Sequence, residues 1–195
     1  MPSSTCPSAH SLLASPSTIP YVPPMPPQLH EELLSLVRES EGLVRTIAAW
    51  ATGRSIPDDL RLRLHEQVYS QMESLDCRPD LVFEFVRDGA SNPTALMVFE
   101  VQLAPDPEKR LTWPVFQGVL WSVHRCPTTV VVLAPDPEVA AWCAEPIDLD
   151  GTGRSIMQPI VVGPDRIPVV VDPHEAERVP GLSVLSDIVH RRSRR

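Results

Sequence analysis

Two alternating segments, Asp80–Val86 (DLVFEFV) and Leu96–Leu103 (LMVFEVQL), constrain this chain more than any other feature. The stretch between them, RDGASNPTA, is rich in turn formers, so the pair reads as two antiparallel strands. Side chains alternate faces along a strand. One face then carries Leu81, Phe83 and Phe85 with Met97, Phe99, Val101 and Leu103, and must pack on a core. The other carries Asp80, Val82, Glu84 and Val86 with Leu96, Val98, Glu100 and Gln102. The apolar residues on this second face imply that something covers part of it too. A turn centred near Ala90 sets Asp80 opposite Glu100, with Cβ atoms roughly 4.5–5.5 Å apart. A two-residue slip would pair Asp80 with Gln102 instead. Glu100 is the only charge between Ala95 and Pro105, and a covered carboxylate needs a partner or a metal. A hard divalent cation with oxygen ligands suits two facing carboxylates. Without a metal, carboxylate repulsion predicts that Glu100→Gln is neutral or stabilising.

The flanking pattern alternates helix and strand. Apolar residues from Leu29 to Ala51 recur at helical spacing, with a break expected at Gly42 and an end at Gly53. Residues 58–76 are ambiguous: Leu60, Leu62 and Leu64 alternate like a strand, while HEQVYSQMES reads as helix or loop. A helix lies within Pro107–His124, expected to start near Trp113 with Pro114 in its first turn. Thr128–Ala134 (TTVVVLA) has the continuous apolar pattern of a strand buried on both faces. Asp136 caps a short helix, PEVAAWCAE. Strands are expected at Pro159–Val162 and Ile167–Val171, and a closing helix at Pro180–His190. Together these predict an α/β domain with a mixed central β-sheet flanked by helices.

Residues 1–28 hold eight of the chain's 23 prolines and no Asp, Glu, Lys or Arg. They read as a disordered proline-rich arm. The folded domain is expected over 29–190, and 191–195 (RRSRR) as a solvated basic tail. The 195 residues suffice for one core without staples, and a formal charge of −8 argues against wholesale coating of DNA or an anionic membrane. No apolar run approaches the ~18–20 residues of a membrane helix. The N-terminal stretch lacks the basic region of a signal peptide. The four cysteines are scattered without a CxxC pair, which predicts free thiols and a cytoplasmic location. His30, His65, His124, His174 and His190 share no metal-ligand spacing, and Gly151-Thr152-Gly153 is a turn without a P-loop around it.

Pro79-Asp80, the hairpin, and Glu100-Val101-Gln102 resemble the PD-(D/E)xK nuclease motif, with Gln102 where the motif's last position carries lysine. DPEKRLTWPVFQG and VVVLAPD are similar to segments of uncharacterised actinobacterial proteins, themselves related to the transposase and recombination-promoting nuclease branch of that superfamily. The resemblance spans roughly residues 29–190. It implies a restriction-endonuclease-like fold and Mg²⁺- or Mn²⁺-dependent cleavage of nucleic acid, DNA before RNA, with a homodimer left open. Asp80 and Glu100 would hold the metal and Gln102 would orient water, and Lys109 or Arg110 would supply the missing cation. Glu31 or Glu32 matches the extra carboxylate that an early helix offers in this superfamily, against a plain solvated helix face. Trp113 and Trp121 are expected in the core. The alternatives are a catalytically inactive member of the fold acting as a binding or interaction module, and a structural protein without a nucleic-acid role.

Overall fold

The computed structural model describes residues 27–65, 78–170, 172, 174, 177 and 179–192. The expected arm falls outside these residues up to position 26, and α1 (Pro27–Glu39) already opens within its last two positions. α2 (Glu41–Thr52) follows almost at once. The break falls at Ser40, not at Gly42. Ser40 takes extended angles and its Oγ accepts from the Leu43 N–H, so a capping side chain starts the second helix, and Gly42 stays helical inside it. Gly53 ends α2 at φ 66, a left-handed angle that glycine adopts without a Cβ clash.

Within the ambiguous stretch, Leu60–Leu64 forms β1, while 66–77 lie outside the described residues. The expected hairpin is β2 (Leu81–Arg87) and β3 (Ala95–Val101), paired antiparallel with Leu81 opposite Phe99 and Phe83 opposite Met97. α3 runs Pro107–His124 and leads to β4 (Thr128–Leu133), which lies parallel to β3. α4 (Pro137–Ala144) then leads past a small ribbon, β5 (Ile147–Asp148) and β6 (Ile156–Met157), to β7 (Ile160–Val162). β7 pairs parallel with β4, and α5 (Pro180–Arg192) closes the described chain. The main sheet is ordered β1-β2-β3-β4-β7, antiparallel on one side of β3 and parallel on the other.

Both faces of this mixed sheet are covered. Leu81, Phe83, Phe85, Met97, Phe99, Val131 and Leu133 meet α1, α2 and α5 on one face. Val82, Leu96, Val98, Val130 and Val132 meet Trp113, Phe116 and Leu120 of α3 and Val139 and Cys143 of α4 on the other. Strand alternation thus feeds two cores at once, and α3 is the cover that the half-apolar second face demanded. Among the described residues, no helix is long and apolar enough to cross a membrane.

Three further expectations change. α3 starts at Pro107, not near Trp113. Asp106 caps it by accepting from the Glu108 N–H, Pro107 fits the first turn, and Pro114 is accommodated inside the helix. Ala-Pro-Asp-Pro-Glu occurs at 104–108 and again at 134–138, where Asp136 caps α4 in the same way. Residues 167–170 form no strand. Pro168 removes a ladder donor, and the Val170 N–H goes to Ser186 Oγ of α5. The first two residues of the expected tail are helical, because α5 continues through Arg192, and 193–195 lie outside the described residues.

Candidate functional site

The hairpin register carries one step past Leu81–Phe99 to Asp80 and Glu100, and their backbones and carboxylates interlock. The Asp80 N–H donates to Glu100 Oε1 at 2.9 Å, and the Val101 N–H donates to Asp80 Oδ2 at 2.9 Å. One oxygen of each carboxylate is thereby fixed by main chain. The other two, Glu100 Oε2 and Asp80 Oδ1, lie 2.6 Å and 3.9 Å from Lys109 Nζ. Lys109 sits in the first turn of α3, positioned by the Asp106 cap. The cation between the paired carboxylates is therefore the ammonium of the chain's single lysine.

Burial grades across this triad. The Glu100 side chain is 0% exposed, that of Asp80 13% and that of Lys109 25%. Burial raises the pKa of Glu100, the charge of Asp80 adds to the rise, and Lys109 opposes it. Burial works against the charge on Lys109, but Glu100, Asp80 and Asp106 outweigh it and hold the ammonium above its ordinary value. Trp113, buried in the core as expected, also points its indole N–H at Glu100 Oε2 at 3.4 Å.

Gln102 follows Glu100 on the same face and is buried. Its Nε2 donates to the Ala104 carbonyl, while its Oε1 is buried with no partner among the described residues. Arg110 does not reach the triad. It hydrogen-bonds the Trp142 and Pro146 carbonyls and lies 5.5 Å over the Trp142 ring, tying α3 to α4. From α1, the side chain that meets Asp80 is neither Glu31 nor Glu32, both exposed, but His30, whose Nε2 is 3.2 Å from Asp80 Oδ2. The helical period alone did not single out His30, because the angle at which α1 meets the sheet selects it. Trp121, expected in the core, is 61% exposed on the outer face of α3.

A hard cation takes oxygen ligands, which the two facing carboxylates and the unpartnered carboxamide oxygen of Gln102, just past β3, would offer if Lys109 yielded its place between the carboxylates. Asp80 and Glu100 are the residues that would hold it.

A second polar cluster lies at the other end of α3. His65 Nδ1 is 2.7 Å from Glu84 Oε1, and the His65 and His124 rings meet edge to face with centroids 5.3 Å apart. Burial lowers the pKa of His124, the nearby His65 lowers it further, and Glu84 works in the opposite direction. Sequence spacing concealed this group, since His65 and His124 are far apart in the chain and meet only through the β1–β2 pairing and the length of α3.

No protein-family model, curated protein or solved structure matches the chain.

Proposed function

We propose that this chain is a Mg²⁺-dependent nuclease hydrolysing phosphodiester bonds of nucleic acid, with Asp80, Glu100, Lys109 and Gln102 as its working residues. The observation that carries this reading is the convergence of one lysine on two facing carboxylates. The motif resembled in sequence has its lysine two residues after the glutamate, where this chain has Gln102. Lys109 brings a cation to the same carboxylates from α3 instead. Mg²⁺ or Mn²⁺, held by Asp80 and Glu100, would supply an activated water and offset charge on the phosphate.

The chain's own groups divide the remaining work. The Asp80 and Val101 amides hold the carboxylates in fixed orientation, which limits reorganisation when charge develops. Lys109 is the most exposed member of the triad and is the group able to meet a phosphate oxygen. Gln102 Oε1 accepts from a water and orients it without adding charge.

A second reading is a non-catalytic module of the same fold. The observation favouring it is that the Lys109 ammonium is already paired with the wholly buried Glu100, without any metal. Cleavage of labelled single- and double-stranded DNA, then RNA, with Mg²⁺, Mn²⁺ or chelator separates the two. Chelator-sensitive cleavage lost in Asp80→Ala supports the nuclease. Equal cleavage by wild type and Asp80→Ala marks a contaminant and removes it. Binding of nucleic acid without cleavage in any metal favours the module.

A further inference from the structure

We propose that His65, Glu84 and His124 form a metal site, separate from the Asp80–Glu100 pair, for one divalent transition ion of the zinc class. Each of the three offers one ligand atom, and these atoms all lie within 4.8 Å of one another. Three different elements bring them together: the residue just past β1, the middle of β2 and the last residue of α3. Along α3, Lys109 and His124 are about 22 Å apart at ~1.5 Å per residue, so the two sites do not share ligands.

The backbone beneath each ligand is fixed. The His65 N–H donates to the Val82 carbonyl at 2.7 Å, and Glu84 lies in the β1–β2 ladder opposite Arg63. His124 ends its helix at Arg125, which takes a left-handed φ of 53 and returns its N–H to the Trp121 carbonyl. The side chains are part-buried, which shields a bound ion from bulk water.

The donor chemistry selects the ion. Two imidazole nitrogens and one carboxylate oxygen suit Zn²⁺, Co²⁺ or Ni²⁺, whereas Mg²⁺ and Ca²⁺ require oxygen ligands. Ligands around a tetrahedral ion with bonds of ~2.0–2.1 Å stand about 3.3 Å apart. The His65–Glu84 contact of 2.7 Å must open slightly and the widest separation must close by roughly an ångström or more, a scale that side-chain torsions cover. Arg63 Nε lies 3.7 Å from Glu84 Oε2, so the second carboxylate oxygen has its own neighbour while Oε1 faces the imidazole. Outer contacts of this kind orient a metal-binding carboxylate. The fourth position is left to water.

The test is titration of the full-length, chelator-stripped protein with Zn²⁺ by calorimetry and with Co²⁺ by visible absorption. The expected result is one tightly held equivalent, with the strong visible bands of four- or five-coordinate Co²⁺. His65→Ala and His124→Asn should each weaken binding by at least ~100-fold, more than the ~10–100-fold effect of an outer contact. Glu84→Gln keeps the side-chain shape and serves if a histidine variant does not fold. Asp80→Asn should bind as wild type, which separates this site from the proposed nuclease centre. No uptake by folded wild type, or wild-type affinity in both Glu84→Gln and His124→Asn, overturns the proposal.

Discussion

Lys109 Nζ lies 2.6 Å from Glu100 Oε2, so the chain's only lysine is committed to the most deeply buried carboxylate among the described residues. This reverses the expectation that neutralising Glu100 relieves repulsion. In Glu100→Gln the ammonium loses its closest anion while staying largely covered. We expect a loss of about 1–3 kcal/mol, kept below the value for a fully buried pair because Lys109 is a quarter exposed. Denaturant melts measure it. Adding Lys109→Met should recover part of the loss, and a Glu100→Gln single variant as stable as wild type would contradict the ion-pair account.

The same pair sets a pH dependence. Burial opposes the charge on Lys109, but attraction to Glu100, Asp80 and Asp106 raises its pKa above 10.5 on folding. A group raised by folding contributes its full stability below the unfolded value and loses it as pH climbs through the folded value. Wild-type stability should therefore fall above pH 10.5 more steeply than that of Lys109→Met. Unfolding free energies at matched pH values above and below that point test this, and parallel curves would rule it out.

Restoring the motif's lysine should not help. Gln102 is buried on the same face of β3 as Glu100, and a second ammonium there would compete with Lys109 for two carboxylates. Gln102→Lys is expected to lower stability and, on the proposed nuclease reading, leave cleavage no faster, whereas Lys109→Ala should remove most cleavage and Asp80→Ala all of it. Rates per folded molecule, measured with Mg²⁺, decide the order. Faster cleavage by Gln102→Lys would mean that Lys109 does not take the role proposed for it.

Phe99 is wholly buried in β3, against the core that α1, α2 and α5 share with the sheet. Phe99→Ala should cost roughly 3–5 kcal/mol through lost burial and a residual cavity. The denaturant midpoint should drop with little change in slope, since the unfolded surface is almost the same.

The hairpin, its register and both of its faces were legible because period-2 alternation is a local signal and the turn centre follows from symmetry about Ala90. The Asp80–Glu100 apposition came with it. The start of α3 is ambiguous in sequence because Pro107 and Pro114 both suit a first helical turn, although the repeated Ala-Pro-Asp-Pro-Glu marks both helix starts. The contacts of Lys109 needed the packing of α3, but its place shortly after β3 had already made it a candidate. His30, His65 and His124 depended on crossing angles and helix length, which no local pattern carries. Trp121 shows the limit from the other side: a large apolar residue at core-like spacing stands exposed.

β3 is the sheet's middle strand, with β2 antiparallel on one side, β4 parallel on the other and every residue from Leu96 to Val101 buried. Backbone amides on such a strand exchange their hydrogens only when the whole domain opens. Glu100 is thus mounted on the slowest-opening part of the molecule, while Asp80 sits just before β2 and Lys109 in the first turn of a helix. Local fraying can uncover the aspartate and the lysine but not the glutamate. Any polymer that comes to this site is met first by the two members that can move, against a third that stays fixed until the fold itself is lost.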